Sequence, residues 1–176
     1  NPEEFFRFYR DKMLFLDAQP NAAQRKLAEW EEQGKLQAVI TQNIDGLHQK
    51  AGSRRVLELH GSVLRNHCQT CGTFYGVEAI TDSAGIPRCR CGGIIKPDVV
   101  LYEEGLDEEV LMAAVSAIRH AEALIIGGTS LTVYPAAGLV RYYRGNKLVV
   151  INKTELPGTE ADLTICGPIG QVMAQL

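Results

Sequence analysis

The sequence predicts an α/β fold, in which a parallel sheet carries helices on both faces and a small module is inserted. Short apolar runs alternate with segments of helical periodicity, as strands buried on both faces of a parallel sheet do. Residues 63–96 break this alternation with glycines and two cysteine doublets. We therefore expect a main domain made of residues 1–62 and 97–176 and a separate module of residues 63–96, which suits a chain of 176 residues.

The first part of the chain predicts two helices followed by two strands. Asn1 and Pro2 form a good helix start, and apolar residues recur behind them at helical spacing. A second helix begins at Pro20-Asn21 and ends at Gly34. The remaining elements expected here are strands over 35–40 and 56–60, with a short helix over 45–51 between them.

The last third gives the clearest α/β pattern. Continuous β-branched and leucine runs break into glycine or asparagine and are followed by helical spacing. The elements expected after the module are strands over 97–102, 123–126, 148–151 and 163–165, helices over 107–120 and 135–143, and a closing helix.

Composition excludes several classes of protein. A net charge of −3 and a pI of 5.8 argue against a dedicated nucleic-acid binder, which would carry a basic stripe. No apolar run approaches the ~20 residues that span a bilayer. Five cysteines, four of them in close doublets, favour a reduced cytoplasmic protein with a metal site over a secreted disulfide scaffold.

The two doublets predict a structural zinc site. Glycines follow each doublet and permit the tight turns that aim thiolates at one ion. Four cysteine ligands leave no open position, so the metal would stabilise the module without taking part in catalysis. A redox pair and a ligand role for His67 are the alternatives. The expected ligands are Cys68, Cys71, Cys89 and Cys91.

Polar or small residues follow four of the predicted strands and indicate a cofactor crevice. In open parallel sheets, ligands bind beyond the carboxyl ends of the strands. Residues 127–130, Gly-Gly-Thr-Ser, expose backbone N–H groups that suit a phosphate or ribose, although they lack the full GxGxxG pattern. The other strand ends carry Gln42 with Asn43, Asn152 and Cys166.

His60 is the candidate general base. It ends a predicted strand beside Gly61, and an imidazole suits proton abstraction near neutral pH. A histidine at a strand end also serves structural roles, so the assignment depends on its polar neighbours. His48 and His120 lie in helical patterns, where we expect structural roles.

Five motifs together resemble the sirtuins, the NAD-dependent protein-lysine deacylases, and in particular their bacterial branch. They occur in the family's order over essentially the whole chain: TQNIDGLHQKAG, LELHGS with the cysteine doublets, CGGIIKPDVVLYEE, GTSLTVYPAAGL and VVINK. The resemblance implies a Rossmann-like domain with a zinc-ribbon module, NAD as co-substrate and one structural Zn²⁺.

The resemblance also implies residue roles. His60 would act on a hydroxyl of the nicotinamide ribose, while Asn43 and Asp45 would orient that ribose and the carboxamide. The further cofactor residues would be Gln42, Ile44, Gly127, Gly128, Thr129, Ser130, Asn152, Lys153 and Cys166. The acyl-lysine tunnel and peptide clamp would comprise Val99, Val100, Leu101 and Val133.

The implied reaction yields free lysine, nicotinamide and O-acyl-ADP-ribose. The expected partners are acyl-lysine proteins or peptides, bound by a cytoplasmic monomer that engages neither a membrane nor specific nucleic acid. The alternative is a zinc-ribbon and nucleotide-binding module without turnover.

Two departures from the family pattern qualify these expectations. The family's GAG and GIPDFR motifs, expected before Asn1 with the first sheet strand, do not occur in the sequence, so we expect residues 1–176 alone to turn over little. Desuccinylating relatives carry Tyr-x-x-Arg, whereas residues 9–12 here read Tyr-Arg-Asp-Lys. Lysine in place of the arginine favours acetyl or other uncharged acyl groups.

Overall fold

A computed structural model describes residues 1–176. The chain forms two compact units. The first unit comprises Asn1–Ala18, Gln42–Gly46 and His60–Leu106. The second comprises Gln19–Thr41, Leu47–Leu59 and Asp107–Leu176. Residues 63–96, expected to form a module by themselves, thus belong to a larger unit that also contains the N-terminal helix.

The chain forms six α-helices, eight strands and one 3₁₀ helix. The helices are α1 (Pro2–Lys12), α2 (Ala22–Glu32), α3 (Leu47–Lys50), α4 (Glu78–Thr81), α5 (Glu108–His120) and α6 (Ile169–Met173), and the 3₁₀ helix is Ala136–Tyr142. The strands are β1 (Val39–Thr41), β2 (Val56–Glu58), β3 (Gly61–Cys68), β4 (Phe74–Tyr75), β5 (Ile95–Val99), β6 (Leu124–Gly127), β7 (Leu148–Asn152) and β8 (Leu163–Cys166). None of the helices combines the length and the apolar composition needed to cross a bilayer.

The first unit is built on an antiparallel sheet in the order β4-β3-β5. Helix α1 starts as the sequence predicts, with the Asn1 side chain accepting the Glu4 backbone N–H and proline in the first turn. Its buried Phe6 and Tyr9 join one apolar cluster with residues of the sheet. Burial of a phenylalanine side chain such as Phe6 contributes roughly 1.5–3 kcal/mol. The buried members of the cluster are Phe6, Tyr9, Val63, Cys68, Ile80, Cys89, Ile95 and Val99.

The second unit confirms the predicted parallel α/β architecture. Its strands form two parallel sheets, β1-β2 and β6-β7-β8. Helix α2 begins with a capping box, in which Asn21 and Gln24 each bond the other's backbone N–H. Ala23 of α2, Ile151 of β7 and Met173 of α6 form the buried centre of an apolar cluster.

Three predicted strands and one helix differ in extent or type from the structure. Residues 35–38 are not a strand, because the N–H groups of Lys35 and Leu36 both donate to the carbonyl of Trp30 and continue the turn that ends α2. Residues 59 and 60 lie beyond β2. The strand predicted over 97–102 begins at Ile95, ends at Val99 and pairs antiparallel with β3. The helix predicted over 135–143 is a 3₁₀ helix.

Candidate active site and metal centre

The structure brings the four predicted cysteine ligands together in the first unit. Their sulfur atoms all lie within 4.8 Å of one another. The Cys68 and Cys91 sulfurs are 3.5 Å apart, and those of Cys71 and Cys89 are 3.6 Å apart. His67 is not a member of this group, because its Nδ1 lies 2.8 Å from a carboxylate oxygen of Asp98.

The local backbone explains how the thiols converge. Cys68 ends β3, and the Gly72 N–H donates back to its carbonyl across a turn in which Gly72 has a φ of 70°. The second doublet turns in the same way, with Gly92 at a φ of 88° donating to the carbonyl of Cys89. Glycine is favoured at both positions because L side chains rarely adopt this backbone conformation.

The donor set fits a zinc ion. Tetrahedral zinc with Zn–S bonds of about 2.3 Å separates its sulfur ligands by about 3.8 Å, close to the spacings found here. With all four thiols deprotonated, the sulfurs at this distance would repel one another, and a bound cation would compensate that repulsion. Four sulfur ligands close the coordination sphere, so a bound zinc would be structural.

Hydrogen bonds tune the thiols unequally. The hydroxyl and backbone N–H of Thr73 lower the pKa of the Cys71 thiol to about 6. The hydroxyl of Tyr75 donates to the Cys89 sulfur at 3.1 Å and lowers the pKa of that thiol. The backbone N–H of Gly93 favours the Cys91 thiolate, yet the neighbouring sulfurs outweigh it and raise the pKa to about 12. Thr73 and Tyr75 were not identified from the sequence, since hydroxyl residues between cysteines carry no distinctive pattern.

His60 is held in one tautomer. Its Nδ1 lies 3.0 Å from the backbone carbonyl oxygen of Gln42. A carbonyl can only accept, so Nδ1 carries a proton and donates it, and in the neutral ring Nε2 is the nitrogen with the lone pair. The half-buried imidazole therefore presents a basic nitrogen.

The loop that holds His60 also carries the predicted ribose-contacting residues. Residues Gln42–Gly46 belong to the same unit as His60, and the carbonyl of Ile44 accepts the Val63 N–H of β3 at 3.0 Å. Asn43 is exposed and Asp45 half-buried on this loop. These two side chains and the imidazole thus lie on segments joined by backbone hydrogen bonds.

Gly61 allows β5 to approach His60. It has a φ of 75°, and a Cβ at this position would lie 1.6 Å from the carbonyl oxygen of Asp98. Directly beyond this contact, the Val100 N–H donates to the His60 carbonyl at 3.0 Å. The predicted tunnel residues Val99 to Leu101 are therefore brought beside the candidate base. The sequence indicated Gly61 only as a flanking glycine.

A cleft of about 340 Å³ lies at the carboxyl ends of β6 and β7 in the second unit. The Gly128 N–H donates to the Ile151 carbonyl, and a Cβ on Gly127 would lie 2.2 Å from a side-chain carbon of Ile169. This glycine-formed hollow is typical of a site for part of a nucleotide. Its lining comprises five predicted residues and two others: Gly128, Thr129, Ser130, Asn152, Lys153, Thr154 and Ile169.

Gly127 and Cys166 are the predicted cofactor residues of the second unit that are not in this lining, and Val133 was predicted for the peptide clamp. Cys166 pairs with Asn152 in the β7–β8 register and is exposed. Val133 is half exposed in the loop before the 3₁₀ helix.

Comparison with known proteins gives a consistent result. The Sir2 family model matches residues 1–135. An NAD-dependent protein deacetylase of Clostridium acetobutylicum is 59% identical over 174 residues, which cover 97% of this chain and 71% of the relative. A solved structure of Sir2 with a p53 peptide and NAD⁺ has a TM-score of 0.90 and 40% identity, covering 99% of this chain and 76% of that one. Sir2 bound to an inhibitor, 2′-O-acetyl-ADP-ribose and a deacetylated p53 peptide has the same TM-score and identity, at 99% and 78% coverage.

Proposed function

The chain belongs to the Sir2 family, and on that premise we propose that it removes acetyl or similar uncharged acyl groups from protein lysines with NAD as co-substrate. The observation that carries the proposal is the geometry of His60, whose Nδ1 bonds the Gln42 carbonyl at 3.0 Å. A module that only binds a nucleotide has no need of a histidine with a free basic nitrogen beside a polar loop.

The products support a role for that base. The 2′-O-acetyl-ADP-ribose in a similar Sir2 structure carries the acyl group on a ribose oxygen, next to a deacetylated peptide. NAD supplies a ribose carbon from which nicotinamide departs and hydroxyls that accept the acyl group. In the proposed reaction the acyl oxygen bonds the ribose carbon as nicotinamide leaves with the electron pair of its C–N bond. Nε2 of His60 would then take the proton from the ribose hydroxyl as that oxygen bonds the acyl carbon, after which the lysine amine leaves and water completes the O-acyl product. The Gln42 carbonyl would stabilise the positive charge that the ring gains.

We propose the other roles from the match to the family's motifs. Asn43 and Asp45 orient the nicotinamide ribose and the carboxamide, with Gln42 and Ile44 beside them. Gly127, Gly128, Thr129, Ser130, Asn152, Lys153 and Cys166 contact the remainder of the cofactor. Val99, Val100 and Leu101 line the acyl-lysine tunnel, and Val133 pairs with the extended peptide as an added strand.

Zinc holds the first unit together in this proposal. We assign zinc binding to residues 63–96. In the sequence they are inserted into the NAD-binding part, which is made of residues 1–62 and 97–176. Burial of Cys68 and Cys89 within the apolar cluster supports a structural role for the metal.

Acyl preference is proposed from α1. Tyr9 is buried in the apolar cluster, and Lys12 is exposed at the end of the helix. Neither offers the arginine fork that grips an acyl carboxylate. We propose further that the protein acts as a cytoplasmic monomer without specific affinity for nucleic acid.

The decisive test is His60→Ala in the full-length protein. We expect NAD-dependent nicotinamide release from an acetyl-lysine peptide to fall by about 10² to 10⁴, the usual contribution of a general base. His120→Ala is the matched control, because the Nδ1 of this exposed histidine bonds only within α5, to the Ser116 carbonyl.

Zinc content measured on both variants should stay at the wild-type value. Unchanged nicotinamide release in His60→Ala would remove the base assignment, and a wild type that binds NAD without turnover would favour the binding module.

A further inference from the structure

We propose that Glu104 and Lys96 are positioning residues that set the acyl-chain preference by fixing the turn after β5. This inference rests on the proposed deacylase function and concerns the wall formed by Val99, Val100 and Leu101.

The turn is closed twice between the same two residues. The Glu104 N–H donates to the Leu101 carbonyl at 3.1 Å, and the Leu101 N–H donates to the Glu104 carboxylate at 2.9 Å. Glu103, between them, has a φ of 71°, the left-handed conformation that a type II turn has at its third residue. A carboxylate side chain thus holds the backbone of the tunnel wall directly.

Lys96 ties this turn back to the strand. Its ammonium lies 3.1 Å from the same carboxylate oxygen of Glu104 and 3.2 Å from the carbonyl of Val99. One charged group thereby joins the last residue of β5 to the far side of the turn. The Leu101 N–H and then Lys96 hold the pKa of Glu104 below its usual range.

The backbone carbonyl of His60 and the apolar cluster fix the other side of the wall. The Val100 N–H donates to the His60 carbonyl, and Leu101 packs against the buried apolar cluster. Partly exposed ion pairs such as this one contribute little to stability. The contacts of Glu104 and Lys96 therefore act on geometry. They keep the wall at one distance from His60 and limit the length of the acyl chain that fits.

The experiment compares acetyl-lysine and butyryl-lysine versions of one peptide in the full-length, zinc-loaded protein. We expect Glu104→Ala to lower the acetyl-to-butyryl ratio of kcat/KM by about tenfold, because a fixed pocket discriminates methylenes by about 10-fold or more. Glu104→Gln keeps an acceptor for the Leu101 N–H and loses the ion pair, so it should show a smaller shift. Glu103→Gln removes a charge from the same turn and is the matched control.

Amide exchange at Leu101 provides a second readout that does not depend on turnover. Faster exchange at this amide in Glu104→Ala, with the altered ratio, supports the proposal. An unchanged ratio in both Glu104 variants, or an equal change in Glu103→Gln, overturns it while leaving deacylation by the wild type intact. A wild type without NAD-dependent deacylation overturns the proposed function instead.

Discussion

Single backbone carbonyls and hydroxyls determine the chemical state of the candidate site. The Gln42 carbonyl assigns the proton of His60 to Nδ1, and the Tyr75 hydroxyl favours the thiolate form of Cys89. Both contacts join residues distant enough in sequence that only the folded chain brings them together. The titratable residue could be identified from the sequence, but the group that tunes it could not.

Tyr75→Phe should weaken zinc retention. The tyrosine donates its hydrogen bond at 3.1 Å to a sulfur that must stay deprotonated to bind metal. Loss of such an outer hydrogen bond costs about 10-fold or more in metal affinity. We expect release of zinc to a metallochromic chelator to accelerate about tenfold at neutral pH.

Tyr102→Phe deletes the same hydroxyl from a fully exposed ring and should leave the release rate unchanged. Equal rates in both variants would contradict the role of Tyr75.

At the scale of elements, the β3–β5 ladder connects the two candidate sites of the first unit. β3 begins next to His60 and ends at Cys68, while β5 follows the second cysteine doublet and ends at Val99. We therefore expect metal binding at one end of this ladder to stabilise the geometry at the other. The ladder depends on the close approach at Gly61.

Gly61→Ala should disrupt this ladder. The new Cβ would lie 1.6 Å from the Asp98 carbonyl oxygen, and the backbone φ of 75° disfavours any L side chain. The left-handed backbone alone costs about 1–2 kcal/mol, and displacing β5 adds to it. We expect chemical denaturation to give a free energy of unfolding lower by more than about 2 kcal/mol.

Gly105→Ala is the matched control for this substitution. It adds a Cβ with no neighbour within 4 Å and should change the free energy of unfolding by less than about 0.5 kcal/mol. A stable Gly61→Ala protein with normal deacylation would show that β5 has room to move.

For the whole molecule, removal of zinc should affect the two units differently. Cys68 and Cys89 lie in the buried cluster of the first unit, whereas Ile151 and Met173 form a separate cluster in the second. A chelator should therefore increase amide exchange along β3 and β5 and leave β7 protected. Hydrogen exchange by mass spectrometry tests this, and added zinc should restore the protection. Equal loss of protection in β7 would show that the metal stabilises both units.

Local patterns explain which parts of the fold the sequence predicted. The Asn21 cap, the breaks at glycine and the apolar runs of β6 and β7 are short-range signals, and the structure has the corresponding elements. The strand predicted over residues 35–38 was wrong, because the Trp30 carbonyl accepts hydrogen bonds from two successive N–H groups and the chain turns there. Apolar character alone does not distinguish these outcomes.

The sequence by itself determined the α/β class, the four cysteines that converge and the family to which the chain belongs, because spacing and motif order are properties of the chain. Only the tertiary structure decided that β5 pairs antiparallel with β3, that the Gln42 carbonyl selects the tautomer of His60, and that Glu104 and Lys96 close the turn after β5. Strand partners and the neighbours of a side chain depend on contacts between segments distant in the chain, which local periodicity does not encode.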